Sequence, residues 1–489
     1  MKNFILFLFL VISMNIYSQE FANFNKYFED ATMRIDYFHI GDASSEIFTI
    51  DHIYKQGIWA GSRINLLDEF NNGAYYYKIY DEDSNTLIFS KGFDSYFKEY
   101  QTSQNAQEGI KRTYHESALI PFPKNKVRLS IQKRDDKNIL NEIFTLVIDP
   151  QDISILKDIV SDKNVEITKS LYNGDPHSKV DVVIIAEGYT ENEKEKYQND
   201  LQKFTQILIK QEPYKSMKES FNVYGVFKAS EESGTDEPRA DIYKNTTLNS
   251  TFNSLGSERY LLTEDNKTLR DLAAHVPYDA IYIMVNHKRY GGGGIYNWSC
   301  TFTADNQFQE YLFIHEFGHS FAGLADEYYT SENAYTDFYK PTLEPVEPNV
   351  TALLDSNNIK WKEFLSDNIE IPTPWEKESF DEMDYAWQKL RREMNNKTAE
   401  LKRNKASLEL IEKAENDYAE FDKEHSLKVD KYLQSSKYYG KVGAFEGAGY
   451  LPKGLYRPML DCIMFSKGDK PFCKVCEAAI IKVINHYSE

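Results

Sequence analysis

The chain has 489 residues and a formal net charge of −19, long enough to form two or three domains with real cores. Its acidic balance argues against binding a phosphate backbone, which calls for a basic face, so no nucleic-acid partner is expected. With 35 Tyr and 30 Phe the composition suits β-structure and surfaces that grip extended or sugar-bearing ligands, without choosing between them.

Met1 and Lys2 precede an almost unbroken apolar run from Phe4 to Ile12, followed by Asn15, Tyr17 and Ser18. A short positive region, an apolar core too short to span a bilayer and a small residue at a cleavage position read as a signal peptide over 1–18. Export to the periplasm, cell surface or medium is therefore expected, and no later segment is apolar enough to span a membrane.

From about 20 to 150 the chain alternates apolar and polar residues in short runs, such as Tyr75 to Tyr80, Thr86 to Phe89 and Lys126 to Ile131. Turn clusters separate them, including Asn72-Gly73 and Asp81 to Asn85. This pattern predicts antiparallel strands forming an N-terminal β-sandwich. A polar link through Ser161 to Asn164 and Asn173 to Pro176 follows. Val180 to Ala186, Phe221 to Phe227 and Tyr278 to Val285 then read as buried strands, with Thr190 placed to cap a helix over Glu191 to Lys210. Strands alternating with helices predict an α/β domain over 170–489, so the fold class expected is multidomain α+β. Within it, 375–433 is rich in Lys, Glu and Asp with apolar residues at helical spacing, which predicts an exposed helical insertion whose charges form a solvated face.

The segment that carries chemistry runs from Tyr311 to Tyr329 and contains His315-Glu316-Phe317-Gly318-His319. Residues four apart share a helix face, so both imidazoles can bind one ion about 2 Å from each ring nitrogen. Glu316 beside them is placed to take a proton from water and return it to a leaving amine. An open zinc site needs a third protein ligand. The arrangement resembles that of metzincins, in which a Gly ends the helix and a ligand follows three residues later; here these are Gly323 and Asp326. Gly323 falls one residue late and an Asp stands where a His is usual, so Asp326 is favoured and Glu327 stays a rival. A more distant downstream Glu is a further alternative. Met464 is the candidate for a Met-turn floor beneath the metal.

Gly291 to Gly294 reads either as a flexible rim against which an extended substrate pairs or as a plain turn. Tyr450 and Tyr456 are candidates to stabilise an oxyanion. His275 and His287 read as structural or exposed. Cys300, Cys462, Cys473 and Cys476 permit disulfides in an exported protein, and a disulfide or packing role is favoured for Cys473 and Cys476 because only Cys462 lies nearby as a further metal ligand.

Taken with Tyr290 to Ile295, Arg457-Pro458, Cys462-Ile463-Met464 and Phe472 to Cys476, the segment His315 to Tyr328 resembles the bacterial IgA metallopeptidases over about Val180 to Ile484. The resemblance implies a zinc endopeptidase with one catalytic Zn2+, with His315, His319 and Asp326 as ligands, Glu316 as base and Met464 as the Met-turn residue. It implies a protein or glycoprotein substrate, IgA among the possibilities. The competing reading is a glycan- or protein-binding surface protein that uses its aromatic β-domain; an intact Glu316 argues against it, since a pure binder has no use for the base.

Overall fold

The computed structural model describes residues 23–157, 160–330 and 338–488; the leader read over 1–18 lies outside them. Among the described residues no helix is long and apolar enough to cross a membrane.

The N-terminal strands are β1 (Phe28–Gly41), β2 (Glu46–Lys55), β3 (Tyr75–Asp81), β4 (Leu87–Phe93), β5 (Arg112–Pro123), β6 (Val127–Arg134) and β7 (Leu140–Ile148). They form two antiparallel sheets, ordered β2-β1-β5 and β4-β3-β6-β7. Period-two alternation turns Met33, Ile35 and Tyr37 of one sheet towards Tyr75, Tyr77, Ile79, Leu129 and Ile131 of the other, in one shared core. The opposite face of β1 is buried as well. There Arg34 bonds Asp36 at 2.6 Å and Asp271 of the following unit at 2.7 Å, so the back of this sheet is a docking face rather than a solvated one.

The second unit centres on a six-stranded sheet of β8 (Glu166–Leu171), β9 (Val180–Glu187), β10 (Phe221–Phe227), β11 (Ala280–Val285), β12 (Gly292–Ile295) and β13 (Ser299–Thr303), ordered β12-β13-β11-β9-β10-β8. Its inner pairs are parallel, and the edge strands β8 and β12 are antiparallel. Every residue of β9 is buried, the reason Val182 to Ala186 is continuously apolar rather than alternating, with buried Asp181 and Glu187 on either side of that run. Three of these strands match the apolar runs expected; β8, β12 and β13 do not stand out in the sequence. One face is covered by α1 (Lys194–Leu208) and α2 (Gln309–Ala322), through Leu201, Phe204, Phe313 and Phe317. The chain ends in a hairpin of β14 (Phe445–Ala448) and β15 (Leu451–Arg457) and a C-terminal helix.

The expected insertion is a pair of long helices, α3 (Lys377–Arg403) and α4 (Leu408–Gln434). Its charges are not all solvated, which corrects the sequence reading. Lys402 pairs with Glu237 at 2.9 Å, Asp422 with Lys467 at 2.8 Å and Asp384 with His425 at 2.7 Å. With Phe380 and Trp387 buried beside them, the Glu237 and Lys467 pairs fasten the hairpin to the body of the domain, while Asp384 and His425 tie its two helices to each other. Helical spacing predicts which residues share a face but not what that face meets.

One buried pair gives the fold a pH signature. The Asp279 carboxylate accepts the Asp181 N–H at 2.9 Å. Burial, reinforced for Asp181 by the neighbouring carboxyl, pushes Asp181 up to about 8 and Asp279 up to about 7. Because the folded values exceed the unfolded ones, the neutral forms stabilise the fold fully below about pH 3.8, and that stability is lost as pH rises towards 8. Asp181→Asn keeps the acceptor for Asn222, 2.8 Å away, and removes a charge. Thermal melts should show the variant melting a few degrees higher at pH 8 with no gain at pH 4, and equal shifts at both pH values would refute the assignment.

Candidate active site

α2 begins in an apolar stretch, Tyr311 to Ile314, that fixes it against the sheet, and it ends at Gly323, whose φ of 60° and ψ of 34° place it in the left-handed region. There the Gly323 N–H donates to His319 O at 3.0 Å and the Leu324 N–H to Gly318 O at 3.1 Å. The Asn72 side chain of the N-terminal unit donates to Ala322 O at 3.4 Å, so the β-sheets help close the helix end. This turn sends the chain back past its own last two turns, and Asp326 arrives opposite the histidines.

His315 Nε2 and His319 Nε2 lie 3.1 Å apart, and each is 3.1 Å from Asp326 Oδ1. A tetrahedral ion with bonds of about 2.0–2.1 Å to N and O separates its ligand atoms by roughly 3.3 Å, so this triangle has the dimensions of one face of such a site. The ring protons point away from it. His315 Nδ1 donates to Ile463 O at 2.9 Å and His319 Nδ1 to Leu324 O at 2.6 Å; since a carbonyl only accepts, both Nε2 lone pairs face Asp326. Asp326 Oδ1 is buried with no hydrogen-bond partner. Three acceptors converging at one point of the cleft repel one another unless a cation joins them, so these residues fit a divalent metal.

The electrostatics agree. Burial opposes ionisation of Asp326, but the two imidazoles hold its carboxyl well below the usual carboxylate range. Burial likewise opposes a charge on His319, yet the Asp326 carboxylate holds it up to about 9. The site is built to hold positive charge. Glu316 is buried at the cleft wall, and burial pushes its carboxyl up, against the pull of His315 and His319. A side chain at Gly292 would meet Glu316 Oε1 at 2.7 Å, and one at Gly294 would meet Glu316 O at 2.4 Å. The glycine run is thus neither loop nor turn but the edge strand β12, stripped of side chains so that it can lie against the site helix. Its outer edge is already bonded at Gly292, whose carbonyl accepts the Leu261 N–H at 3.1 Å.

Glu327, adjacent to Asp326, turns the other way: its Oε1 accepts from Asn349 Nδ2 at 3.0 Å and lies 3.3 Å from Cys476 Sγ. Met464 packs beneath α2, where a Cβ at Gly318 would meet its sulfur at 2.8 Å. Tyr450 does enter the cleft, but its hydroxyl bonds Asp326 Oδ2, which makes it a support for Asp326 rather than an oxyanion donor. Tyr456 sits in β15 with its N–H on Thr351 O at 2.9 Å, outside the cleft. His275 bonds the Asp162 N–H at 3.3 Å and His287 pairs with Glu237 at 3.4 Å; neither approaches the triangle. The four cysteines are free and buried, so the expected disulfide is not formed; Cys300 packs in β13 apart from the other three, its thiol donating to Ile281 O at 3.6 Å.

The cleft is walled by Arg259, Tyr260, Tyr290, β12, Tyr328, Tyr339 and Tyr450. Arg259 carries no spacing signal that the sequence could have exposed, and Tyr290 shows there only as the start of the glycine-rich segment. A larger cavity lies between the N-terminal sheets and the C-terminal helix, walled by Trp59, Arg270, Tyr296 and Tyr487; it lacks the converging acceptors, so the smaller cleft is the functional candidate. The family model described as IgA Peptidase M64 matches residues 165–484, and the model described as Peptidase M64 N-terminus matches residues 23–145. No curated protein gives a match.

Proposed function

Because the chain belongs to the IgA Peptidase M64 family and is thus a peptidase acting on protein, we propose that it is an exported zinc endopeptidase whose metal is held by His315, His319 and Asp326. The observation that carries the reading is the 3.1 Å triangle of acceptor atoms with both ring protons committed elsewhere. Zinc bound there supplies Lewis acidity, making water a nucleophile near neutral pH and polarising a carbonyl.

The chain's own residues do the rest. Glu316, on the same helix and facing β12, takes the proton of the attacking water and returns it to the leaving amine nitrogen. Its burial raises its proton affinity, which suits a group that must both accept and release within one turnover. Tyr450 and the carbonyls of Ile463 and Leu324 hold the three ligands in place, and Met464 supports α2 from below. An extended substrate lying along β12 would pair towards its Gly294 end, since Gly292 is already bonded. Extracellular proteins, glycosylated host proteins among them, are the substrate class that export and family together suggest.

Glu316→Gln tests the assignment: it preserves shape and the metal ligands while removing the base. We expect hydrolysis of an unfolded protein substrate to fall by about 10²–10⁴-fold with zinc content unchanged. Activity equal to the native enzyme's would rule out Glu316 as the base.

A further inference from the structure

Behind the candidate active site the chain gathers a second set of metal-ligating atoms. One oxygen of Glu327 and the sulfurs of Cys462, Cys473 and Cys476 all lie within 4.8 Å of one another, and all four residues are buried. We propose that they form a second, structural metal site of the zinc class, distinct from the one that holds the catalytic ion.

Cys462 Sγ and Cys476 Sγ are 3.9 Å apart, and Cys476 Sγ is 3.3 Å from Glu327 Oε1. A tetrahedral zinc with Zn–S of about 2.3 Å and Zn–O of about 2.0 Å sets these separations at roughly 3.8 Å and 3.5 Å. A disulfide requires sulfurs about 2.05 Å apart, so the observed spacing belongs to co-ligands rather than to a bond. The backbone points the same way. Cys462 Sγ accepts N–H groups from Cys473 at 3.2 Å and Met464 at 3.5 Å, and Cys473 Sγ accepts from Cys476 at 3.4 Å; amide donors aimed at sulfur favour the thiolate, the form that binds metal.

Glu327 is the independent sign. It is fully buried, and its Oε2 has no hydrogen-bond partner. A fully buried carboxylate next to three sulfurs, with one oxygen lacking any partner, is costly in a protein interior, and a divalent cation held between Glu327 and the sulfurs neutralises its charge. Soft thiolates with one carboxylate make a donor set suited to zinc and poorly suited to magnesium or calcium. With four protein ligands the site is closed, which marks it as structural.

Its position gives it a role. Glu327 follows Asp326 directly, and its N–H donates to Met464 O at 2.9 Å; Cys462 stands two residues before Met464; Cys476 lies in the first turn of the C-terminal helix α5 (Lys474–Ser488). One ion would therefore tie together the segment carrying Asp326, the turn whose Ile463 carbonyl holds His315, and α5. Glu327, Cys462, Cys473 and Cys476 are positioning residues in this scheme: they hold the floor and one wall of the active site without touching substrate.

The test is metal counting on the full chain, purified without chelator. We expect two zinc equivalents in the native protein, one in His315→Ala/His319→Ala, and thiolate-to-cobalt charge-transfer absorption when that variant is reconstituted with cobalt. Cys473→Ser/Cys476→Ser should lose the second equivalent; if it fails to fold, the histidine variant still decides. One equivalent that disappears with the histidines, or a Cys462–Cys476 disulfide detected by mass after alkylation without reductant, would overturn the proposal. A native protein holding a single equivalent, retained with the charge-transfer band in the histidine variant, would uphold this site while refuting the catalytic assignment.

Discussion

Asp326→Ala is expected to weaken binding of the catalytic zinc by about 10²-fold or more and to reduce peptide hydrolysis by about 10³-fold or more, because Lewis-acid stabilisation is worth several kcal/mol and a ligand supplies both metal affinity and its orientation. The residue is the convergence point of the site: Oδ1 faces both imidazoles at 3.1 Å, while Oδ2 takes the Tyr450 hydroxyl. Removing it leaves the two Nε2 lone pairs facing each other at 3.1 Å with no anion to balance a dication. Asp326→Asn should fall between, since an amide oxygen retains the shape but not the charge. Titration of metal-depleted protein with zinc, paired with hydrolysis of a peptide library, measures both quantities. Native affinity and activity in the alanine variant would transfer the third-ligand role elsewhere.

The contrast between Asp326 and Glu327 shows where sequence reasoning stops. His315, Glu316 and His319 are legible because a regular helix converts spacing into direction. Past Gly323 the chain is irregular, and neighbouring side chains there point to opposite sides. What sends Asp326 to the histidines and Glu327 to the cysteines is tertiary: Gly449 N–H on Asp326 O at 3.0 Å and Glu327 N–H on Met464 O at 2.9 Å, contacts with residues far along the chain. The cysteines were opaque for the same reason. Cys473 and Cys476 have metal-ligand spacing, but their carboxylate partner lies in another part of the sequence. In the N-terminal unit β3, β4 and β6 are legible as short aromatic and β-branched runs set between turn clusters. β1 is harder to read because Arg34 and Asp36 are buried on its second face, where polarity in the sequence suggests solvent. The hairpin α3–α4 was legible as helix and misleading as surface, since ion pairs with Glu237 and Lys467 leave the same charge pattern as hydration.

The glycine run is the feature whose meaning changes most with structure, and it supports the second large prediction. At Gly294 an added Cβ would come within 2.4 Å of the Glu316 carbonyl oxygen and 2.8 Å of His319 Cβ. Both obstacles belong to α2, which is packed into the core and cannot yield as the end of a flexible side chain would. Gly294→Val must therefore push β12 away from the helix, opening the cleft wall beside the base. Misplacement of about 1 Å at a reacting centre costs roughly 10²-fold in rate, and overpacking of this kind costs about 1–3 kcal/mol in stability. Gly318→Ala is the informative contrast. It also lies on the site helix, but its nearest obstacle is Met464 Sδ at 2.8 Å, a thioether that can rotate, so a smaller loss is expected. Gly57→Ala, with nothing within 4 Å of its added Cβ, should match the native protein. Measured as kcat/KM and Tm, the order Gly294→Val, Gly318→Ala, Gly57→Ala from worst to best is the expected result. A Gly294→Val variant with native activity would mean that β12 does not lie against the catalytic helix when substrate binds.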